Sequence, residues 1–340
     1  MIISRTPFRI SFFGGGTDYP VWYEKNEGLV LSATINKYCF ITARYLPPFF
    51  EYKHRIRYYQ HEEAQSLEEI KHPSVRECAR YLKIDKGLEI VHNADLPAQS
   101  GLGSSSTFTV GLLNALYALQ NYMPTKRELA LKAIHIEQDL IGESVGSQDR
   151  TAAAFGGLNK IIFNGAKSID IETVIISNDR LTDLQDNLML FFTGFSRNAS
   201  EIAKKQIEVT SQKNIELNEM VQICREGISL LIDKKESLDA FGNLLNEQWK
   251  LKRSLTSKIS NEKIDKIYST GINAGALGGK LLGAGGGGFI LFYVPKNKQK
   301  KEVTSLIKNK RNEVVKLKKY LDSMNDSLIE IELKNMLKKE

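Results

Sequence analysis

The residues best suited to chemistry lie in Leu96 to Ser106, which reads LPAQSGLGSSS. Gly101 and Gly103 carry no Cβ and tolerate positive φ, so their backbone amides can approach an anion closely. Ser104, Ser105 and Ser106 fall where an apolar helical pattern begins. A helix N-terminus offers unpaired amides and partial positive charge, which suits a phosphate. A serine hydroxyl there can also reach a metal ion held by that phosphate. The competing reading is a flexible turn capped by serine. The segment is not a Walker A sequence, because no GK[ST] follows, and it is not a GxGxxG dinucleotide fingerprint. Two other glycine clusters stand far from it: Gly14, Gly15 and Gly16, followed by Thr17 and Asp18, and Lys280 to Gly288, KLLGAGGGG. A run of four glycines exceeds what a turn between helix and strand needs; close backbone approach to a ligand accounts for it.

Other chemistries find little support. Cys39, Cys78 and Cys224 form no CxxC pair and no disulfide framework, which fits a reducing, cytoplasmic setting. The five histidines lack zinc-ligand spacing, and His92 and His135 read as structural. The net charge of +7 is concentrated at one end: Lys296 to Glu340 holds 13 Lys/Arg against 7 Asp/Glu, leaving +1 for the rest. A single Lys-rich helical tail reads as a solvated face rather than a nucleic-acid surface. No stretch approaches the ~18 apolar residues of a membrane span. Met1 to Phe13 lacks the basic and apolar blocks of a signal peptide.

The elements that must position these groups alternate in type. Ile2, Ile3 and Phe8 to Phe13 read as strand, as does Gly28 to Thr42, rich in Val, Ile, Thr, Tyr and Phe. Glu89 to Asn93 is a short strand leading into the glycine-serine loop. Thr107 to Gln120 carries apolar residues at helical spacing. Thr125 and Glu128 form a capping box that opens another helix, which Gly142 can end. Leu158 to Phe163 and Ile169 to Ile176 read as strands. Ser177 to Leu184 is polar and turn-rich, and the domain boundary is expected there. Leu188 to Phe192 reads as a buried strand. Asn198 to Asn261 is mostly helical, Tyr268 to Ala276 is a further helix, and Phe289 to Val294 is a strand. A chain of 340 residues is long enough for two domains.

Three segments together resemble the GHMP kinases, the family of galactokinase, homoserine kinase, mevalonate kinase and phosphomevalonate kinase. Arg5 to Pro20, RTPFRISFFGGGTDYP, resembles the first motif, Pro97 to Ser106 the second and Lys280 to Gly288 the third, in the family's order. The resemblance implies an α+β, two-domain GHMP kinase fold, with a ribosomal-protein-like domain over 1–180, a ferredoxin-like domain over 181–340, and the active site between them. It implies ATP and Mg²⁺ as cofactors, and phosphoryl transfer to an alcohol. The nucleotide contacts it implies are Pro97, Ser100, Gly101, Leu102, Gly103, Ser104, Ser105, Ser106, Gly285 and Gly286.

Phosphoryl transfer needs positioning, a metal and charge stabilisation more than covalent help. Val145 to Gly157, VGSQDRTAAAFGG, resembles the stretch carrying the family's catalytic aspartate, which makes Asp149 the base. Glu137 and Ser105 match the metal ligands; a surface glutamate on an amphipathic helix is the competing reading. Glu143 and Asp139 are nearby alternatives. Arg9 matches the first-motif arginine that stabilises developing charge, with Arg5 and Arg150 as alternatives.

Gly14, Gly15, Gly16, Thr17 and Asp18 depart from the galactokinase form and resemble kinases of heptose phosphates, with L-fucose kinases a looser match. Glycine leaves room for a larger sugar phosphate, and Asp18 can accept hydrogen bonds from ring hydroxyls. A phosphorylated substrate needs cationic partners. Arg197 is the candidate from the resemblance, with Lys37 and Arg44 besides. The expected partners are ATP and a small sugar phosphate, with neither nucleic acid nor membrane; self-association into a homo-oligomer is left open.

Overall fold

The computed structural model describes residues 1–165, 168–195 and 199–308. In chain order the elements are β1 (Ile2–Phe13), α1 (Pro20–Tyr23), β2 (Glu27–Tyr45), β3 (His54–Arg57), β4 (His61–Ala64), α2 (Pro73–Tyr81) and β5 (Leu88–Ala94). There follow α3 (Ser104–Leu119), α4 (Lys126–His135), α5 (Gln148–Phe155), β6 (Leu158–Asn164), β7 (Ile169–Thr173), α6 (Asn178–Asp186) and β8 (Leu188–Phe192). The chain continues through α7 (Ala199–Val209), α8 (Asn214–Ile232), α9 (Leu238–Leu255), α10 (Glu262–Ala274), β9 (Gly278–Leu281), β10 (Phe289–Tyr293) and α11 (Gln299–Lys308).

Two sheets carry the site. The first runs β4-β3-β5-β2-β6-β7, with β1 also paired to β2. All its pairings are antiparallel except β3 with β5. β2 is its spine. Along one edge it pairs with β1, while its other edge serves β6 over Glu27 to Ala33 and β5 over Cys39 to Tyr45. The second sheet, β8-β10-β9, is antiparallel. The architecture is a mixed α+β fold. β1 alternates between the two faces at its start and is buried at every position from Phe8 to Phe13. The chain covers it on both sides there, so that half of the strand lies between layers.

α3 is buried at every position from Ser106 to Leu113, as expected of a core helix rather than a surface one. It lies close on β1. A Cβ at Gly111 would come within 2.7 Å of the Thr6 hydroxyl oxygen, and the Ser4 hydroxyl donates to the Gly111 carbonyl at 2.8 Å. The N-terminus of α3 is therefore held at a fixed height above Arg9.

The Thr125 cap forms as its sequence predicts: its hydroxyl oxygen accepts from the Glu128 amide at 3.1 Å. α4 then widens into a π-helical turn, Ile136–Leu140, where the Ile141 amide donates to the Ile136 carbonyl at 2.9 Å. Two local readings differ from the structure. Ser177 to Leu184 is not a turn but the start of α6: the Ser177 hydroxyl caps it, Leu184 is buried, and Arg180 donates to the carbonyls of Leu231 and Glu236. Those contacts outweigh the weak helix propensity of Asn, Asp and Thr. β8 is half-buried along its whole length rather than buried, because β10 takes the interior of its three-stranded sheet.

Candidate active site

A cavity of about 370 Å³ opens between the N-terminus of α3, the end of β1 and the glycine-rich turn after β9. The loop before α3 is latched on both sides. The Arg9 amide donates to the Leu102 carbonyl at 3.2 Å, and the Phe289 amide of β10 donates to the Ser100 carbonyl at 3.0 Å. Gly103, at φ 80°, precedes the helix, and the Thr107 amide is the first to bond back, to the Gly103 carbonyl. The amides of Ser104, Ser105 and Ser106 thus belong to the unpaired first turn, beside a cavity these three residues line. Such a helix end suits an anion.

Arg9 spans the gap from this loop to α5. Its Nε and Nη2 donate to the two carboxylate oxygens of Asp149, each at 2.8 Å, and its Nη1 donates to the Gly101 carbonyl at 2.7 Å. Arg9 is 3% exposed and Asp149 is 23% exposed, so the guanidinium is buried behind a carboxylate that still faces the cavity. A bidentate pair of this kind fixes the carboxylate plane. Asp18 holds the start of the same helix. Its carboxylate accepts from the amides of Gly16 at 2.9 Å and Gln148 at 3.3 Å, and its carbonyl accepts from the Ser147 amide. A Cβ at position 146 would sit 1.9 Å from an Asp18 carboxylate oxygen, so only glycine fits there.

Glu137, in the π-helical turn, is fully buried. One carboxylate oxygen accepts from the Arg150 guanidinium and, at 3.3 Å, from the Ser106 hydroxyl. The other oxygen has no partner among the described residues. A buried carboxylate oxygen without a partner asks for an explanation, and a role in binding a cation is one. Hard oxygen donors of this type, one carboxylate and a hydroxyl, suit a Mg²⁺ ion that takes its remaining ligands from nucleotide phosphates and water. The serine that touches Glu137 is Ser106; Ser105 is exposed on the cavity wall. Among the described residues no cluster of three or more His, Cys, Asp or Glu exists that could hold a metal by itself.

The far ends of the cavity differ in character. One is aromatic: the rings of His72 and Phe108 stack with centroids 4.5 Å apart, and His92 meets Phe108 edge-on at 5.0 Å. Burial holds the His72 imidazole down to about 4. The other end is cationic, walled by Lys252 and Lys280 beside Gly15 and Gly16.

The sequence-predicted residues divide accordingly. Arg9, Asp149, Asp18, Gly15, Gly16, Gly101, Gly103, Ser104, Ser105, Ser106 and Gly285 converge on this one cavity. Glu137 does not line it but lies fully buried behind Ser106, which does. Six others do not line it either. Gly14 turns against the Leu29 carbonyl, and Thr17 is fully buried, bonding to Gly14 and Leu29. Pro97 is exposed; Ser100 is sealed beneath β10; Leu102 faces the core; and the Gly286 amide donates to the Ile259 carbonyl. Their role is to shape the loops. Arg197 lies outside the described residues, as do residues 309–340 of the basic tail. Lys37 and Arg44 are not on this cavity: Lys37 lines a separate apolar one, and Arg44 pairs with Glu89. Arg5 lies over the Tyr38 ring and is exposed. Lys252 and Lys280 were missed. Lys280 opens the third glycine motif, which was a signal; Lys252 sits in an ordinary amphipathic helix, which gave none.

Comparison with known proteins gives the family. The GHMP kinases N terminal domain matches residues 72–157, and the GHMP kinases C terminal domain matches residues 228–312. The chain is 31% identical over 322 residues to D-glycero-alpha-D-manno-heptose 7-phosphate kinase of Campylobacter jejuni, covering 90% of this chain and 93% of that protein. It is 25% identical over 326 residues to the bifunctional fucokinase/GDP-fucose pyrophosphorylase of Arabidopsis thaliana, spanning 87% of this chain and 30% of that one. Its fold resembles the crystal structure of a D-glycero-D-manno-heptose 1-phosphate kinase from Bacteriodes thetaiotaomicron, with a TM-score of 0.73 and 24% identity over 91% of this chain and 93% of the other. From motif order, from cavity and from similarity along nearly its whole length, this chain belongs to the GHMP kinase family.

Proposed function

We propose that this kinase transfers the terminal phosphoryl group of ATP to the anomeric hydroxyl of D-glycero-D-manno-heptose 7-phosphate, giving the 1,7-bisphosphate. The observation that carries the reading is the convergence on one cavity of an anion-binding helix end, a bidentate Arg9–Asp149 pair and a cationic far wall. Similarity to a heptose 7-phosphate kinase over 93% of that protein supports the substrate class.

In this reading the unpaired amides of Ser104 to Ser106 hold the phosphates of ATP. The aromatic end, with His72, His92 and Phe108, receives the flat base. Asp149 lies next to the acceptor hydroxyl. Each of its oxygens gives one lone pair to Arg9 and keeps another for the hydroxyl proton. Phosphoryl transfer has a loose transition state with little covalent chemistry for the protein to do, so an aspartate held rigidly can serve as the acceptor of that proton. Arg9 keeps the carboxylate plane fixed and adds positive charge next to the transferring group. Magnesium, when bound with the nucleotide, supplies charge neutralisation on the phosphate oxygens; Glu137 and the Ser106 hydroxyl are the residues to hold it. Asp18 accepts from sugar hydroxyls while bracing the start of α5.

The test is ADP release from purified protein with ATP and Mg²⁺ across a panel of free and phosphorylated sugars. Turnover of heptose 7-phosphate well above all others is expected. Preference for L-fucose would move the chain towards the fucokinase side of the family, and no ADP with any sugar would sink the reading.

A further inference from the structure

Lys252, from the last turn of α9, and Lys280, from β9, meet the same wall of the cavity. They are only 5% and 4% exposed. A buried ammonium is costly unless a counter-charge accompanies it. Neither lysine forms an ion pair among the described residues, whereas Arg9 and Arg150 each have a carboxylate. The lysines meet neutral oxygens instead. Lys252 donates to the Gly15 carbonyl at 3.2 Å and to Gln206 Oε1 at 2.9 Å; Lys280 donates to the carbonyls of Ser11 at 2.8 Å and Phe12 at 3.1 Å. An ammonium has three N–H groups, so each keeps one in reserve.

Three further buried polar atoms here have no partner among the described residues: the Ser11 hydroxyl, the Gln206 amide nitrogen and the Gln148 amide oxygen, the first two of them able to donate. Glycine leaves these two within reach of the cavity: a Cβ at Gly15 would lie 3.8 Å from the Ser11 hydroxyl oxygen. A Cβ at Gly16 would lie 2.6 Å from the Gln206 nitrogen and 3.5 Å from Lys252 Nζ. Uncompensated positive charge and unused donors around a gap form a receptor for a tetrahedral oxyanion.

We infer that Lys252 and Lys280, with Ser11 and Gln206, form a subsite for the phosphate ester that the acceptor sugar already carries, separate from the phosphoryl group being transferred. This rests on the proposed reading of the acceptor as a sugar phosphate and names the residues that would enforce it. Arg9 and Ser11 lie two residues apart on β1, about 7 Å at strand rise. The subsite is thus offset from the Arg9–Asp149 pair by roughly one sugar ring, with Asp18 near the hydroxyls between.

The charge states agree with an anion-receiving role. Burial pushes Lys280 down to about 7, assisted by repulsion from Lys252 and Arg9 and opposed by the Cys224 thiol and Asp18. Burial pushes Lys252 down to about 8, opposed by Asp18. A dianionic ester raises both, so its binding near pH 8 takes up protons, because the ester itself, with a second pKa near ~6, is already fully ionised there.

The experiment compares wild type, Lys252→Met and Lys280→Met. Steady-state rates are measured with a phosphorylated sugar and with the same sugar lacking its phosphate. Either substitution is expected to raise KM for the ester about 10- to 100-fold, the loss of one charged hydrogen bond. kcat is expected to change less, and KM for the unphosphorylated sugar to change at least several-fold less than KM for the ester. A loss of kcat of equal size with both acceptors would assign the lysines to the transferred group and overturn the subsite. Separately, inorganic phosphate is titrated calorimetrically at pH 8 with saturating ADP, in two buffers of different ionisation heat. Binding to wild type with net proton uptake, lost in the variants, is expected. No phosphate binding, or binding without proton uptake, overturns the subsite even if a variant fails to fold. Failure of wild type to turn over any phosphate ester would instead remove the substrate reading, leaving the phosphate titration to decide the subsite.

Discussion

Replacing Asp149 by asparagine changes one atom and separates catalysis from structure. The carboxylate accepts two bonds from Arg9, both 2.8 Å, while the third guanidinium nitrogen is committed to the Gly101 carbonyl. An amide offers one acceptor and one donor, so a donor would face a donor and half of the pairing of a buried guanidinium would be lost. A charge-assisted bond contributes about 1.5–3 kcal/mol net, and breaking a fully buried pair costs about 3–5 kcal/mol. Asp149 is 23% exposed, so water compensates in part, and a loss of about 2 kcal/mol of stability is expected. The effect on rate should be larger. Removing a positioned proton acceptor costs about 10²- to 10⁴-fold, or about 3–5 kcal/mol of barrier. Equilibrium unfolding in urea measures the first quantity and coupled ADP release the second, with nucleotide affinity as the control, since the helix end proposed to bind phosphate is untouched. A variant that folds, binds ATP and turns over within about threefold of wild type would refute the role of Asp149.

Further outcomes follow from other contacts. Ser106→Ala should raise the Mg²⁺ concentration for half-maximal rate by about tenfold, while Ser105→Ala, which does not touch Glu137, should shift it less; the Mg²⁺ titration of rate decides between them. Glu137→Gln leaves the buried Arg150 guanidinium uncompensated and should cost about 3–5 kcal/mol in urea unfolding. Gly146→Ala places a methyl group 1.9 Å from the Asp18 carboxylate and should lower stability by about 1–3 kcal/mol, read in the same assay. Lys280 is near ~10.4 when unfolded and about 7 when folded, so between these values the unfolded chain binds the extra proton. Stability therefore rises with pH across that window and the buried charge is most costly below it. Lys280→Met should accordingly raise the melting temperature most near pH 6 and least near pH 10.

How much of this was legible in the sequence depends on the range of the signal. The glycine-serine loop, the Thr125 cap and the strands β1, β2, β5, β6 and β7 are written in neighbouring residues, whereas β3 and β4, four residues each, carry too short a pattern to be read. The convergence of Arg9, Asp149 and the loop was legible only through the family resemblance of three ordered motifs and of Val145 to Gly157, because their contacts span 92 to 140 residues of chain. The choice between Ser105 and Ser106 was not legible: adjacent residues on a helix differ by about 100° in direction, and only packing of α3 on β1 decides which faces Glu137. Lys252 was hidden for a similar reason. An amphipathic helix normally turns its lysines to solvent, and here the cavity replaces solvent as the neighbour of that face.

The π-helical turn at Ile136–Leu140 has a consequence for how this chain can vary. Such a turn is the equivalent of one residue added to an α-helix. A chain one residue shorter between His135 and Gly142 would rewind into regular helix, swinging Glu137 by about 100° away from Arg150 and Ser106. The exposed side chains of this stretch could be exchanged freely, yet its length could not, so single-residue deletions here should abolish activity where multiple surface substitutions leave it intact.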